Sequence, residues 1–415
     1  MIQAPSTGVS AAEPGLADAD NTPAPKPRLH LTYLDGLRGL AAFYVLLHHL
    51  YMKVAIDSEA FPFGFSLMAF GGLAVDVFIV LSGYCLMLPV VRSADAELSG
   101  GVKTFLKRRA WRILPPYYAS LAVAIAMLWG SQRFSSHYGT LTTTKVSGLS
   151  PGPLLSHLFL VHNLVPSWAF SIDGAMWSVA TEWQIYFFLP ALLLPLWKRW
   201  GSGALLGGAW ALGLLPRLLH WDFADSAHPW LLGLFAMGMA AAGASFPRRP
   251  QEWVQRFPWG AVTLGLALGL LTLVILNAAQ AASSRFWPVD LLMGAVTSTL
   301  LIYCTRFRSR PEAQKTPLMK TPLMKTPLVL RLLESRILVG LGLFSYSLYL
   351  IHGPLLAALI ALTHHRLDVD QLTLFMLVVG IPITVAGSFL FYSLFERPFL
   401  HMRTTVTNER RGRNL

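Results

Sequence analysis

The apolar segments constrain this chain more than any other feature, because ten of them are separated by connections that contain most of the basic residues. A helix needs about 20 predominantly apolar residues to cross a bilayer, and its backbone polar groups must be hydrogen-bonded within the protein. The pattern therefore predicts an all-α fold, a polytopic membrane helix bundle of about ten transmembrane helices. We place the spans at 34–53, 69–91, 113–130, 177–197, 204–219, 229–245, 259–279, 287–305, 337–360 and 371–395.

The composition excludes a soluble protein, a disordered chain and a disulfide scaffold. Charged residues make up 13% of the 415 residues and hydrophobic residues 54%, whereas a soluble domain carries about 25% charged residues. The net charge of +12 does not indicate a nucleic-acid partner, because the basic residues lie between apolar spans. Cys85 and Cys304 both fall inside spans, so they indicate nothing about the redox compartment.

Lysine and arginine are distributed unevenly over alternate connections. If the N-terminus is cytoplasmic, the inner segments hold 26 of these 33 residues and the outer segments hold 6, with Arg38 inside the first span. Cytoplasmic loops carry the basic excess in membrane proteins. We therefore predict that both termini are cytoplasmic.

The segments outside the spans carry little chemistry. We expect a disordered cytoplasmic tail at 1–28, a transmembrane domain at 29–400 and a basic cytoplasmic tail at 401–415. Within the domain, the repeat KTPLM-KTPLM-KTPLV predicts an extended cytoplasmic linker at 306–330, because Thr-Pro in every unit prevents a regular helix. The apolar run Leu154–Val165 is too short to cross a bilayer and predicts a re-entrant or interfacial helix.

The first span carries the main chemical signal. Arg38 and His49 are eleven residues apart, so they share a helix face at about 16 Å along the axis, while His48 faces elsewhere. An ionisable group at bilayer depth costs about 2.5–3.5 kcal/mol and usually faces a cavity. The alternative, a simple hydrogen bond from His49 to a neighbouring helix, stays open. Asp35 is expected to pair with Arg38.

A basic cluster precedes the third span in FLKRRAWRILPPYY. It contains Lys107, Arg108, Arg109 and Arg112. Such a cluster anchors many membrane helices on the cytoplasmic side. Alternatively it binds phosphate, because arginine forks bind phosphate oxygens bidentately.

Four further polar residues interrupt apolar runs or lie at their margins. They are Glu182 in WSVATEW, His352 in SYSLYLIHGP, Asp76 in VDVFIVLSGY and Glu396 in FERP. Any one of them could make an ordinary interhelical hydrogen bond. Together with Arg38 and His49 they predict a polar cavity within the bundle.

The ordered motifs DGLR…HH, GxxxVDVFIVLSGY, FLKRRAWRILPPYY, WSVATEW, SYSLYLIHGP and FERP resemble those of the acyltransferase family 3 of integral membrane O-acyltransferases, from about Leu34 to Pro398. The resemblance implies a ten-helix fold that moves an acyl group, usually acetyl, from cytoplasmic acyl-CoA to a hydroxyl. In most members the acceptor is an extracytoplasmic carbohydrate, which implies a plasma-membrane protein, here the bacterial inner membrane. Some members append an esterase-like domain; this chain ends 17 residues after Pro398, and we expect it to lack that domain.

The resemblance also assigns roles to residues. The family's essential arginine and histidine match Arg38 and His49, and its arginine pair matches Arg109 and Arg112. Neutral His49 then suits a general base for the acceptor hydroxyl, with a pKa of about 6.5 in the unperturbed side chain, although an acyl-histidine intermediate stays possible.

The remaining roles are assigned more loosely. Glu182 is a candidate for orienting His49 or for binding the acceptor, and Arg108 supports the phosphate clamp. Asp35, Asp76, His352 and Glu396 are substrate-binding or structural polar residues. We expect acceptor choice to lie in the outer segment Ser131–Met176, with Trp168, His157 and His162.

The expected partners are acyl-CoA, a hydroxyl acceptor and the lipid bilayer. No permanently bound cofactor, metal or nucleic acid is predicted. The rival interpretation is a secondary transporter or flippase, which is also polytopic with buried charges. Transporters often show repeated halves with paired broken helices, and no such internal correspondence is visible here. The sequence leaves open the acceptor, the acyl chain length and the oligomeric state.

Overall fold

The computed structural model describes residues 31–54, 66–134, 150–247, 252–276, 287–309 and 326–400, and these are helical, without strands. The predicted all-α class is confirmed for this part of the chain. The helices are α1 (Thr32–Lys53), α2 (Gly72–Arg92), α3 (Gly101–Phe134), α4 (Pro151–Leu158), α5 (Met176–Phe188), α6 (Leu194–Leu218), α7 (Leu231–Ser245), α8 (Trp259–Leu276), α9 (Trp287–Ser309), α10 (Arg336–Leu343), α11 (Ser345–Thr363) and α12 (Val369–Leu400).

Seven helices of the described residues are long and apolar enough to cross a membrane. The prediction of about ten spans therefore stays a prediction, as does the cytoplasmic location of the termini. Two of the predicted spans form a single helical stretch, Met176–Leu218, which is broken where Gly201 adopts φ +79°. Helix α7 has only 15 residues, and α1 carries Asp35, Arg38 and Lys53 within its length.

The span predicted at 337–360 consists of two helices rather than one. Helix α10 ends at Leu343, and Phe344 leaves the helical region before α11 begins at Ser345. Ser335 caps the start of α10 by accepting a hydrogen bond from the Leu338 backbone N–H. The predicted tails, 1–28 and 401–415, and most of the predicted linker lie outside the described residues. The two ends of that linker are helical, because α9 continues to Ser309 and a short helix occupies Leu328–Leu333.

Helix α1 packs closely on α10 through glycines. A Cβ atom built on Gly39 would lie 2.1 Å from the backbone oxygen of Leu338, and one built on Gly342 would lie 2.0 Å from that of Asp35. Only residues without a side chain let two helix backbones approach so closely. This contact fixes the helix that carries Arg38 and His49.

Hydroxyl groups join α1, α2 and α9 near the start of α1. The Thr305 hydroxyl donates to the Leu301 carbonyl at 2.8 Å, so the Tyr33 and Tyr84 hydroxyls donate to Thr305 Oγ1, each at 2.5 Å. All three side chains are buried. This hydrogen-bonded cluster positions the beginning of α1 without placing a charge in the interior.

The short apolar run around residue 158 forms α4 and a helical turn at His162–Leu164. Its predicted re-entrant or interfacial position stays a prediction. Tyr117 and Tyr118 of α3 hold the end of α4, because their hydroxyls donate to the carbonyls of His157 (3.0 Å) and Leu158 (2.7 Å). These tyrosines belong to the PPYY motif, whose role here is to anchor α4 against α3.

Candidate active site

Helix α1 presents Arg38 and His49 to the interior and His48 to a different neighbour. His48 Nδ1 lies 2.8 Å from the carbonyl oxygen of Met68, and its ring packs against Gly71. Arg38 and His49, by contrast, line two separate cavities. The prediction of a shared inward face is confirmed, but the face opens into two spaces rather than one.

The first space, which we call the arginine cavity, holds about 830 Å³ of empty volume. Three of its lining side chains are the predicted cations Arg38, Arg109 and Arg112, and one is Glu182. Its remaining wall comes from Val75, Phe78, Ile79, Ser82, Cys85, Leu86, Ile113, Ser178, Val179, Tyr186, Ser345, Tyr346 and Tyr349. The excess of positive charge at this lining suits a polyanionic group.

Hydrogen bonds fix the orientation of Arg38 at this cavity. Its guanidinium donates to Asp35 Oδ1 at 2.9 Å and to Cys85 Sγ at 3.0 Å. The predicted pairing of Asp35 with Arg38 is therefore confirmed. Because the carboxylate holds one edge of the guanidinium, the rest of the fork is preorganised for a ligand in the cavity.

Glu182 lies in the arginine cavity, whereas His49 does not line it. The hydroxyl of Tyr186 donates to Glu182 Oε1 at 2.5 Å and lies 3.1 Å from Ser82 Oγ. The structure thus groups Glu182 with the arginines and not with His49, which it was predicted to orient unless it binds the acceptor.

Three other predicted residues lie away from the centre of this cavity. Arg108 donates to the backbone carbonyl of Ser99 at 3.2 Å and does not line the cavity. Asp76 is completely buried within α2. Glu396 is buried and accepts a hydrogen bond from the Ser347 hydroxyl at 2.5 Å.

The second space, the histidine cavity, holds about 690 Å³ of empty volume. Its polar side chains are His49, Lys53, His352 and Asp173. Its other lining residues are Ala124, Met127, Leu128, Ile172, Gly174, Ala175, Gly353, Pro354 and Ala357. The structure therefore brings His352, predicted only as a general polar residue, into the same site as His49.

The hydrogen bonds of the two histidines decide where their protons lie. Nδ1 of His49 is 3.1 Å from the Val45 carbonyl oxygen, and Nδ1 of His352 is 3.1 Å from that of Leu348. A carbonyl only accepts, so each neutral ring carries its proton on Nδ1 and a lone pair on Nε2. The two rings meet edge-to-face with centroids 4.8 Å apart. Two basic nitrogens thus lie in one cavity.

Tyr349 lies where the two cavities approach each other. Its ring lines the arginine cavity and has its centroid 6.0 Å from that of His352. Its hydroxyl lies 2.6 Å from Ser178 Oγ and donates to the Ala175 carbonyl at 3.1 Å, and Ala175 lines the histidine cavity. Tyr349 therefore lines the arginine cavity and contacts two residues of the histidine cavity, His352 and Ala175.

Sequence reasoning missed Asp173. It is only 7% exposed and lines the histidine cavity. A signal existed, because Asp173 is the one acidic residue of the outer segment Ser131–Met176. That segment reaches the cavity through Ile172–Ala175.

The three residues of the outer segment that were predicted to take part in acceptor choice lie outside the histidine cavity. His157 and His162 are buried and stack on each other with centroids 3.8 Å apart, and Trp168 packs against Gly152. None of these three lines the histidine cavity, and residues 135–149 lie outside the described residues. Their role in acceptor choice stays a prediction.

Acidification is expected to destabilise the fold through His162. Burial, and next to it the neighbouring His157, lowers the pKa of His162 from 6.5 to about 3. Between these values the unfolded chain binds the extra proton, so the free energy of unfolding falls as the pH drops below about 6.5. The loss for this group is about 2 kcal/mol at pH 5. Between pH 7.5 and pH 5 the melting temperature should fall less steeply for His162→Gln than for the parent. An equal fall in both proteins would contradict a lowered pKa of His162 in the folded state.

Comparison with known proteins identifies the family to which the chain belongs. The family model of the acyltransferase domain, of the acyltransferase 3 type, matches residues 31–393, and the chain belongs to this family. The seven helices of the described residues that are long and apolar enough to cross a membrane accord with a multi-pass membrane protein. No solved structure matches this chain.

Three relatives illustrate the family. The "Peptidoglycan O-acetyltransferase OatA" of Listeria monocytogenes is 29% identical over 41% of this chain and 25% of its own length. The "Putative membrane-bound transacylase BcsY" of Komagataeibacter xylinus is 29% identical over 57% of this chain and 64% of its own. A "Putative O-acetyltransferase" of Staphylococcus aureus strain COL is 22% identical over 90% of this chain and 58% of its own. The chain thus spans less than two thirds of each relative.

Proposed function

We propose that this acyltransferase moves an acyl group, acetyl in the simplest case, from cytoplasmic acyl-CoA to a hydroxyl of an extracytoplasmic carbohydrate such as a surface polysaccharide. The membrane concerned is the bacterial plasma membrane. One observation carries the proposal: a cavity lined by three arginines and a cavity containing His49 approach each other at Tyr349. The name of OatA, a peptidoglycan O-acetyltransferase, supports the acceptor class.

The arginine cavity is the proposed donor site. Coenzyme A carries several phosphate charges, which Arg109 and Arg112 of α3 would bind as charge-assisted hydrogen bonds. Arg38, preorganised by Asp35, lies on the α1 face that leads toward His49 and would contact the donor deeper in the bundle. Glu182 would bind a hydrogen-bond donor of the same ligand.

The histidine cavity is the proposed acceptor site. Nε2 of His49 takes the proton of the acceptor hydroxyl as its oxygen attacks the thioester carbonyl carbon. The C–O bond forms, the C–S bond breaks, and the coenzyme A sulfur leaves as a thiolate. The imidazolium then returns the proton to that thiolate, which leaves neutral His49, free CoA and the new ester. Apolar surroundings limit hydrolysis of the thioester.

Cys85 gives a direct test of the donor site, because this half-buried residue lines the arginine cavity while Cys304 is fully buried. In a Cys304→Ser background, CoA should protect Cys85 from a small thiol reagent. Arg109→Ala and Arg112→Ala should each raise the protecting CoA concentration about 10- to 150-fold, since a charge-assisted hydrogen bond contributes about 1.5–3 kcal/mol.

Lys107→Ala is the matched control, because Lys107 is a neighbouring exposed cation that does not line the cavity. Arg108→Ala tests the sequence-based prediction for a residue that contacts the Ser99 carbonyl instead. If CoA protects Cys85 equally in both cavity-arginine variants and in the control, the basic cluster serves only to anchor the helix on the cytoplasmic side.

Sidedness is the second test of this function. Ser99 follows α2 and Asp222 follows α6, and both residues are exposed. A cysteine at Asp222 should react with an impermeant maleimide in intact cells, and one at Ser99 only after lysis. In sealed vesicles acyl-CoA should support transfer only from the Ser99 side, with the ester formed on the other side. If both substrates are required on the Ser99 side, transfer across the membrane is excluded although acyl transfer itself survives.

A further inference from the structure

Two buried hydrogen-bond acceptors of the histidine cavity have no hydrogen-bond partner among the described residues. Oδ1 of Asp173 accepts from the Ala175 backbone N–H at 3.1 Å, while Oδ2 is buried and has no hydrogen-bond partner among the described residues. Nε2 of His352, in a side chain only 1% exposed, is likewise without a partner there. Buried polar atoms are normally hydrogen-bonded, so two such atoms lining one cavity indicate a missing donor group.

The charges of this cavity restrict the ligand that could supply those donors. Lys53 attracts Asp173 electrostatically, so the one cation and the one carboxylate of the lining offset each other, and the two histidines are neutral in the tautomers described above. Burial raises the pKa of Asp173 to about 6, which leaves the side chain mainly ionised and therefore acceptor-only at neutral pH. The best ligand is neutral and donates several hydrogen bonds.

We propose that Asp173 binds a second hydroxyl of the acceptor, beside the hydroxyl that His49 deprotonates, and so selects neutral polyhydroxylated acceptors over simple alcohols and anions. The inference rests on the proposed function and adds a residue that sets acceptor choice. In this arrangement Oδ2 of Asp173 accepts from one hydroxyl of a diol, Nε2 of His49 accepts from the reacting one, and Nε2 of His352 accepts from a third.

The substitution Asp173→Asn isolates this role. The amide retains an oxygen for the Ala175 N–H, replaces the unpartnered oxygen by a donor and removes the negative charge that offsets Lys53. Asp222→Asn, in an exposed residue after α6, is the matched control. Neither change touches the arginine cavity, so protection of Cys85 by CoA should be the same in both variants and in the parent.

Acceptor binding can be measured without turnover through Met127→Cys, since Met127 lines the histidine cavity and is half-exposed. In a background with Cys85→Ser and Cys304→Ser, a panel of neutral methyl glycosides should slow methanethiosulfonate labelling of this cysteine. Glucuronic acid and 1-butanol serve as the anionic and single-hydroxyl probes. Asp173→Asn should raise the protecting glycoside concentration about 10-fold or more, the loss expected for a hydrogen bond to a charged group.

Steady-state kinetics give the second readout. With a glycoside as acceptor, Asp173→Asn should raise the acceptor KM by the same factor and leave kcat within about threefold, whereas a structural defect would lower kcat and the amount of folded protein together. Three outcomes would overturn the proposal. Butanol or glucuronate could protect the cysteine as effectively as the glycosides, or no glycoside could protect it. The glycosides could also protect the parent and Asp173→Asn equally. Failure of CoA to protect Cys85 would instead refute the proposed function.

Discussion

Replacing His49 by alanine is expected to abolish acyl transfer while the protein still folds and inserts. Among the described residues, the His49 side chain hydrogen-bonds to its own helix, from Nδ1–H to the Val45 carbonyl. Its removal therefore leaves no side chain of another helix without a hydrogen-bond partner. Loss of a general base lowers the rate by about 10²- to 10⁴-fold. CoA release and ester formation, measured together by thiol titration and mass spectrometry, should both fall by this factor.

Two other histidines provide the controls. His48 binds the Met68 carbonyl outside both cavities, and His48→Ala should retain most of the activity. His352 lines the histidine cavity and also has a basic Nε2, so His352→Ala tests which ring takes the proton. Full turnover by His49→Ala, or a larger loss in His352→Ala than in His49→Ala, would refute the assignment of His49 as the base.

The face shared by Arg38 and His49 could be predicted because it depends only on helical periodicity. Eleven residues make just over three turns of about 3.6 residues each, and no tertiary information is needed. Asp35 beside Arg38 follows from the same geometry. The apolar character of the helices could also be predicted, because a bilayer dictates the length and composition of its spans, although the number of spans stays a prediction.

What could not be predicted depends on the approach of distant segments. The division into two cavities arises because Tyr349 of α11 reaches Ser178 and Ala175, residues far away in sequence. Glu182 was grouped with His49, yet it faces the arginines because its helix turns that side toward α2 and α3. Asp173 lies in a loop without periodicity, so nothing in its local sequence shows that the loop folds into the bundle.

The span predicted at 337–360 failed for a related reason. Composition alone does not distinguish one apolar helix from two, and the break at Phe344 lets the short α10 lie against α1. That contact holds the helix with both Arg38 and His49, so the stability of the site depends on the glycines at which α1 and α10 meet.

Substituting one of these glycines is expected to have the largest effect on folding. In Gly39→Ala the new Cβ would lie 2.1 Å from the Leu338 oxygen and 2.8 Å from the Gly342 nitrogen. Both atoms belong to backbone, so no side chain can rotate away and the helices must separate. Overpacking of this kind costs about 1–3 kcal/mol and occasionally more, and we expect about 3 kcal/mol here. Melting temperature and the yield of monodisperse protein in detergent are the measurements.

Gly340→Ala provides the matched control. Gly340 lies in α10, the helix that α1 contacts, and a Cβ atom there would have nothing within 4 Å. Alanine gains about 1 kcal/mol over glycine in a helix interior, so this variant should match or exceed the parent in stability. Gly39→Ala receives the same gain in helix propensity, and any difference between the two variants therefore measures the close approach of α1 to α10. Equal stability of the two would show that α1 is held by its other neighbours. A Gly39→Ala protein that folds but loses activity would show instead that a small displacement of α1 is enough to separate Arg38 and His49 from their substrates.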